Sequence, residues 1–261
     1  MMIPVQYLLM NPTGNQTILV QTEVPEEKQP ETAAKLMRLE PGAEQVGFLS
    51  HSQESDISLR MAGGEFCGNA AMSAAVYYGM KNELLRGKVT VSVSGAKQPV
   101  KVSVSSRADG IWDGVVDMPQ PRTIRNAAFL CGKTLPVVEF LGISHVIVEE
   151  KLTHSEAERM AVQWCKELGA KALGLMFLNR EENHLSPLVY VPAADTLFWE
   201  STCASGTTAI GAWLANKCGH DIALTLKQPG GTLEVYASPN GPLLLKGCVS
   251  CLHENTALID D

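Results

Sequence analysis

Two stretches of this chain begin with a cysteine, continue with small residues and run into an apolar segment: Cys67 opens CGNAAMSAAVYYG and Cys203 opens CASGTTAIGAWLA. They stand 136 residues apart, and the same offset carries Gly95 onto Gly231, each at the end of an alternating run. The offset is close to half of the 261-residue chain, which points to an internal repeat. Each cysteine falls just before the first turn of a predicted helix. A helix N-terminus leaves backbone N–H groups unpaired and carries about half a positive charge, so it stabilises a thiolate and can hold a carboxylate. Gly68 and Asn69 after the first cysteine, and Ala204, Ser205 and Gly206 after the second, are small enough to let a ligand approach that backbone.

This pairing suits the inversion of a stereocentre. Without a cofactor, inversion needs a base on one face to remove the α-proton and an acid on the other to return one, the two exchanging roles in the reverse direction. A thiol, with an unperturbed pKa of about 8.5, can be tuned toward neutrality by a helix end. Charge developing on a substrate carboxylate would be met by the same fixed N–H donors. A single cysteine at such a position reads first as a packing residue, but two at repeat-related helix starts favour catalysis.

The elements that must position these thiols can be read from periodicity. Alternation predicts strands over residues 5–9, 18–21, 46–49, 57–61, 89–93, 100–104 and 111–116. Two helices are predicted among them, over 31–39, stopped by Pro41-Gly42, and over 68–80, apolar nearly all round as in a fully buried helix. The acidic stretch 23–31, with Pro25 and Pro30, reads as a solvated loop. Met118-Pro119-Gln120-Pro121 suits a linker, after which strands are predicted over 137–140 and 145–148, then an amphipathic helix over 155–168. Strands over 173–178 and 188–191, a second wholly apolar helix over 204–216, and strands over 223–226, 233–236 and 243–249 complete the chain.

Composition narrows the partners. With 28 acidic and 21 basic residues, a net charge of -7, there is no electrostatic reason to expect nucleic acid or an anionic membrane, and a small neutral or dipolar molecule fits better. The opening MMIPVQYLLMNP has no basic region ahead of its apolar residues, and no window approaches the roughly eighteen apolar residues of a membrane span, so a soluble, cytoplasmic protein is expected. Seven cysteines in a chain of this length do not read as a disulfide framework.

The segment GGEFCGNAAMS resembles the first catalytic motif of the diaminopimelate epimerase family, and STCASGTTA is similar to its second, where cysteine is followed by Gly-Ser-Gly. Thr13-Gly14-Asn15 is similar to the family's amino-terminal Gly-Asn motif and Glu44-Gln45 to its acidic-Gln pair. Val116-Asp117-Met118 with Pro121 matches its mid-chain turn, and Gln228-Pro229-Gly230-Gly231 its Pro-Gly-Gly hairpin. The resemblance implies an α+β fold of two pseudo-symmetric domains, each a curved, mostly antiparallel sheet wrapped around a central buried helix, with the active site between them. It implies an N-terminal domain over 1–120 carrying Cys67, a second over 121–241 carrying Cys203, and a strand and tail over 242–261 returning to the first. It also implies an isomerase that uses neither pyridoxal phosphate nor metal, with Cys67 and Cys203 as acid/base thiols. The amides of Gly68, Asn69, Ala204 and Ser205 would bind the α-carboxylate, and Asn15 and Gln45 would contact the substrate amino acid, with Glu44 and Glu200 in the same binding set.

The departures from that family are informative. Where diaminopimelate epimerases carry Gly-Asn-Pro-His, this chain has Gly142-Ile143-Ser144-His145; a later substrate-binding Asn is replaced near Gly174; and FWESTC retains Glu200 without the family's arginine. A buried substrate carboxylate without a cationic partner costs several kcal/mol, so these losses argue against a substrate with a second amino-acid head. The pattern looks more like the histidine racemase branch, which supplies D-histidine for nicotianamine-like metallophores, and under it Glu44 would accept a hydrogen bond from an imidazole or amino group. Diaminopimelate epimerase or another amino-acid racemase is the alternative within the class, although proline-type racemases place His where Asn69 stands. Outside it are an amino-acid-binding protein that keeps the pocket and a thiol redox protein acting through Cys248 and Cys251. That C-x-x-C lacks a second pair at metal-ligand spacing and reads as structural, as does His145, while Cys131, Cys165 and Cys218 read as buried packing. A homodimer is compatible with all of these readings.

Overall fold

β-Branched residues alternating with polar ones, as in RGKVTVSV and VKVSVSS, turn one side of each strand to a core and the other to solvent. The computed structural model describes residues 2–260; residues 1 and 261, at the outer ends of the first and last expected segments, lie outside the described residues. The chain divides into two units, Met1–Val116 with Lys246–Asp261, and Asp117–Leu245.

In the first unit, β1 (Met2–Pro12), β2 (Thr17–Val20), β3 (Gln45–Ser50), β4 (Ile57–Met61), β5 (Arg86–Val93), β6 (Val100–Ser106) and β7 (Trp112–Asp117) neighbour one another in chain order. The last strand of the chain, Leu243–Asp260, hydrogen-bonds to both β7 and β1, which makes an eight-strand, barrel-like sheet. Most pairs are antiparallel, but β2–β3 and β4–β5 are parallel, and parallel neighbours require a crossover. Helix α1 (Gln29–Leu39) provides the first and α2 (Gly68–Lys81) the second. Their compositions decide their places. Helix α1 buries Thr32, Ala33 and Leu36, and the two apolar ones join Val5, Tyr7, Ile18 and Val46 in the core. Every residue of α2 from Gly68 to Val76 is buried, and it meets β1, β2, β4, β5 and β6. Its alanines, glycine and serine let a sheet close around it.

The second unit repeats this logic with β8 (Thr123–Ala128), β9 (Thr134–Glu139), β10 (Ser144–Val148), β11 (Leu173–Asn179) and β12 (His184–Val191) in chain order. Strand β13 (Thr196–Trp199) pairs with β12, and β14 (Ile222–Gln228) and β15 (Gly231–Ala237) complete the sheet. Again two pairs are parallel, β10–β11 and β12–β14, spanned by α3 (His154–Leu168) and α4 (Ala204–Cys218). Helix α3 is amphipathic and seats Ala157, Ala161, Trp164 and Cys165 on Leu173, Leu175 and Leu188, with Trp164 stacked on Phe129 at 4.4 Å. Helix α4 is buried from Ala204 through Trp213. Thr153 caps α3 in a reciprocal box: its hydroxyl accepts the Glu156 N–H at 3.3 Å while the Glu156 carboxylate accepts the Thr153 N–H at 2.9 Å. Thr153→Ala therefore lowers stability by about 1 kcal/mol, measured as a fall in the urea unfolding midpoint at unchanged slope.

Several expectations need correction. Strands β8 and β13 were not foreseen: β8 is mostly exposed and β13 half-buried throughout, so neither carries the period-two apolar signal. The stretch 23–31 is not all loop, because Glu26–Lys28 forms a 3-10 turn and α1 begins at Gln29, whose buried amide donates to the Val24 carbonyl at 3.0 Å. The last strand continues past 249 to Asp260, its register against β1 shifting at Leu9/Met10. Cys165 is buried, but Cys131 and Cys218 are exposed. Cys131 precedes the left-handed Gly132 in the β8–β9 turn, and Cys218 ends α4 just before its glycine cap, Gly219. Among the described residues no helix is long and apolar enough to cross a membrane.

Candidate active site

Cys67 is the N-cap of α2 and Cys203 the N-cap of α4, both in extended backbone conformation. In each, the sulfur accepts the backbone N–H three residues on: Ala70 N–H to Cys67 Sγ at 3.4 Å, and Gly206 N–H to Cys203 Sγ at 3.4 Å. Sulfur here occupies the place usually taken by a serine or aspartate oxygen, and the N–H and helix dipole favour its ionised form.

Around Cys67, polar side chains from three segments form a chain of hydrogen bonds. The turn after β1 passes through left-handed Thr13 and Gly14, held by Gly14 N–H on Asn11 Oδ1 at 2.7 Å, and delivers a fully buried Asn15. Asn15 Nδ2 donates to Glu44 Oε2 at 2.6 Å. Gln45 Nε2 donates to Asn15 Oδ1 at 2.5 Å and to Thr17 Oγ1 at 3.0 Å, which turns Gln45 Oε1 toward Cys67 Sγ, its donor at 3.2 Å. The approach to Cys67 is held from beneath: Ser94 Oγ donates to the Glu65 carbonyl at 2.8 Å, and Gly95, at φ +75°, lies where a Cβ would stand 2.4 Å from Phe66 N. Only glycine meets both demands there. Burial raises the neighbouring Glu65 carboxyl above the usual range.

Cys203 is more deeply enclosed, at 4% exposure. Its N–H donates to Gln228 Oε1 at 2.8 Å, Gln228 Nε2 donates to Thr207 Oγ1 at 2.9 Å, and Thr207 Oγ1 donates to the Cys203 carbonyl at 2.7 Å, closing a ring that fixes the cap. Ser205 Oγ lies 3.6 Å from Cys203 Sγ, and His145 Nε2 lies 3.0 Å from Ser205 Oγ. Burial first, and then the Glu200 carboxylate that accepts its S–H, hold the Cys203 thiol well above the ordinary range, against the opposing pull of Ser205 and the Gly206 N–H. Cys203 therefore rests protonated. Trp199, just ahead of Glu200, is clamped between His154 and Phe177 at 4.3 and 5.5 Å and donates Nε1 to Glu158 at 3.1 Å. A cavity of about 790 Å³ in this unit is bordered by Trp199, Glu200, Ser201 and Pro229.

The family model for the histidine racemase CntK N-terminal domain matches residues 4–246, nearly the whole chain. The chain is a member of this family. It is accordingly an isomerase. A histidine racemase of Fusobacterium nucleatum subsp. nucleatum is 29% identical over 262 residues, covering 97% of each chain, and one of Staphylococcus aureus is 30% identical over 248 residues, covering 88% of each. Among solved structures, a predicted epimerase of Pseudomonas aeruginosa is similar in fold, with a TM-score of 0.73 at 14% identity over 98% of this chain and all of that one.

Within this member of the histidine racemase family, Asn15, Glu44, Gln45 and Cys67 share one network in the first unit, and Gly68 and Asn69 begin α2 beside them. Glu200, Cys203, Ala204 and Ser205 lie together in the second. Sequence reasoning missed Gln228, Thr207 and His145 as members of the second cluster. Gln228 stood in the quoted Gln-Pro-Gly-Gly segment and His145 in the quoted Gly142-Ile143-Ser144-His145 segment, so a signal was available for both, although His145 reads there as structural. Cys248 belongs to neither cluster: its backbone is tied to Thr13, its carbonyl accepting the Thr13 N–H at 2.8 Å and its own N–H donating to the Thr13 hydroxyl oxygen at 3.0 Å. Among the described residues no three His, Cys, Asp or Glu side chains are grouped as metal ligands.

Proposed function

We propose that this protein interconverts L- and D-histidine by two-base proton transfer, with Cys67 and Cys203 as the acid/base pair and without pyridoxal phosphate or metal. The observation that carries this reading is that two cysteines, in a member of the histidine racemase family, cap helices in the same way and are each held by an acceptor, Gln45 for one and Glu200 for the other. In the reacting form one of the two thiols has lost its proton to solvent; as a thiolate it removes the α-proton from one face of the substrate while the opposite thiol delivers its own proton to the other, so the negative charge passes from one sulfur to the other. Cys203, protonated at rest, is the first donor in one direction. The carbanion's charge spreads into the α-carboxylate, which the first-turn amides of Gly68, Asn69, Ala204 and Ser205 receive. Asn15 and Gln45 hold the amino-acid head, and Glu44, already a hydrogen-bond acceptor, takes a donor from the imidazole or the amino group.

The arrangement adopted for the whole chain is that of the diaminopimelate epimerase type, two pseudo-symmetric domains of curved sheet around a buried helix. The D-histidine formed serves metallophore biosynthesis in the cytoplasm. Incubation with L-histidine in deuterated buffer is expected to yield D-histidine, by chiral chromatography, with deuterium at the α-carbon. Absence of both exchange and inversion, with inversion of meso-diaminopimelate or another amino acid in its place, would overturn the substrate assignment.

A further inference from the structure

We propose that Thr13 is a positioning residue for substrate binding: its hydroxyl clamps the β1–β2 turn to the last strand, Leu243–Asp260, and so holds the strained backbone that presents Asn15 to the head group of an amino acid. This role deepens the function proposed above and rests on Asn15 holding that head group.

The Asn15 N–H closes the turn on the Pro12 carbonyl at 3.2 Å, with Thr13 at φ +51° and Gly14 at φ +92° as its central residues. Two left-handed residues in succession mark a turn of the primed kind, whose first central position ordinarily takes Asn, Asp or Gly. Thr13 is none of these. Among the described residues, the non-glycine positions at positive φ are Thr13, Glu83, Asn183 and Asp195, and Thr13 alone of them is β-branched, the side-chain type this conformation suits least.

What threonine supplies in exchange is a hydroxyl that both donates and accepts. Thr13 Oγ1 donates to the Cys248 carbonyl at 3.1 Å and accepts the Cys248 N–H at 3.0 Å, while the Thr13 N–H donates to the same carbonyl at 2.8 Å. The ladder between β1 and the last strand ends one residue earlier, at Pro12 opposite Val249, where proline has no N–H to give. The three bonds thus carry the pairing one step past the strand end. The hydroxyl's single hydrogen goes to the carbonyl, and Cys248 Sγ lies farther off at 3.8 Å, so Cys248 acts through its backbone.

Two residues beyond Thr13, Asn15 has no exposed surface and its carboxamide is engaged at both ends, Nδ2 on Glu44 Oε2 at 2.6 Å and Oδ1 accepting Gln45 Nε2 at 2.5 Å. If residue 13 relaxed to negative φ, the chain would leave the turn in another direction and carry that carboxamide off its partners. Strained backbone persists only where its surroundings over-determine it, and it gathers at ligand sites. Here the surroundings are a strand 235 residues away in sequence, and the group they hold in place is Asn15.

The test follows hydrogen exchange of the Asn15 carboxamide by NMR in the intact ¹⁵N-labelled chain without substrate, the signal being assigned by its loss in Asn15→Asp. Thr13→Val keeps the branched shape and removes the hydroxyl. It is expected to speed exchange at Asn15 by about tenfold, the net worth of about one hydrogen bond, while the buried Val146 N–H of β10 keeps its parental rate. Thr13→Ser keeps the hydroxyl, Cys248→Ser keeps the backbone, and both are expected to stay within about twofold of the parent. Thr13→Gly has no clamp but needs none, since glycine takes positive φ freely, and is expected to stay within about threefold. With L-histidine, Thr13→Val should raise KM about tenfold and leave kcat within about twofold, the pattern of lost uniform binding, and Thr13→Ser should restore KM. A parental exchange rate in Thr13→Val overturns the clamp, as does a loss in Thr13→Ser, Thr13→Gly or Cys248→Ser equal to that in Thr13→Val. Equal acceleration at Val146 overturns it too, being the mark of a general loss of stability. Faster exchange at Asn15 with an unchanged KM overturns the link to substrate. No substrate enters the exchange measurement, so an enzyme inactive on histidine leaves the clamp standing, and a failed clamp leaves the racemase reading intact.

Discussion

Cys203→Ser and Cys67→Ser are each expected to lower histidine racemisation by about a thousandfold, in both directions. Serine keeps the size of the side chain and can still cap the helix, since its oxygen is a better N-cap acceptor than sulfur. The Ala70 and Gly206 N–H groups and the Gln228 ring therefore remain satisfied, and the variants fold. What is lost is a thiol, which gives up and takes back a proton far more readily than a hydroxyl. Positioned acid/base groups contribute about 10²- to 10⁴-fold, and a hydroxyl at the same place cannot supply that contribution. In the proposed mechanism each direction uses one thiol as base and the other as acid, so either single change is expected to affect both L-to-D and D-to-L turnover. Chiral chromatography from each enantiomer, with circular dichroism to confirm folding, reads the result. A folded single variant retaining more than about a tenth of the parent rate would remove that cysteine from the chemistry. A protein acting through Cys248 and Cys251 would be insensitive to both changes.

Acidification from pH 7 to pH 5 costs the protein about 2 kcal/mol of stability through His145 alone. The folded ring is held at about 3 by burial, against 6.5 in an unfolded chain. Above pH 6.5 neither state binds the proton and the group is without effect. Below it, the unfolded chain takes up a proton that the folded protein refuses, so stability falls with falling pH until the folded pKa is reached. One and a half pH units below the unfolded value corresponds to about 2 kcal/mol. Urea unfolding at pH 7 and pH 5 measures the loss, and His145→Gln, which has no titrating ring, isolates it: the variant should lose about 2 kcal/mol less than the parent between the two pH values. Equal losses would mean that His145 is not buried as a neutral ring.

Part of this protein is readable from the chain because its causes are local. Helices α2 and α4 are recognisable since a segment apolar on every side has to be enclosed, and both are. Helix α3 shows its amphipathic stripe and its Thr153 cap within a single turn of sequence. Strands β8 and β13 leave no such trace, because one is exposed and the other only half covered, so selection for burial writes no alternation into TIRNAA or TLFW. The exposure of Cys131 and Cys218 is equally invisible, since it depends on which side of a turn or helix end faces solvent.

The site divides in the same way. A cysteine followed by small residues at the head of an apolar helix was enough to locate both thiols, because the bond from the sulfur to the N–H three residues on is made within one turn. Gln45 on Cys67, Gln228 on the Cys203 N–H and His145 on Ser205 come from 22, 25 and 60 residues away. Those contacts depend on strand register: the pairing of His145 with Gly174 decides which ring nitrogen is walled off, and a slip of one residue would turn the imidazole to the other face of the sheet. Sequence alone thus determined where the two thiols sit and what a helix end does to them. Tertiary structure decided which groups hold each one protonated or support its ionised form, because hydrogen bonds between distant segments exist only once the sheets have set their register.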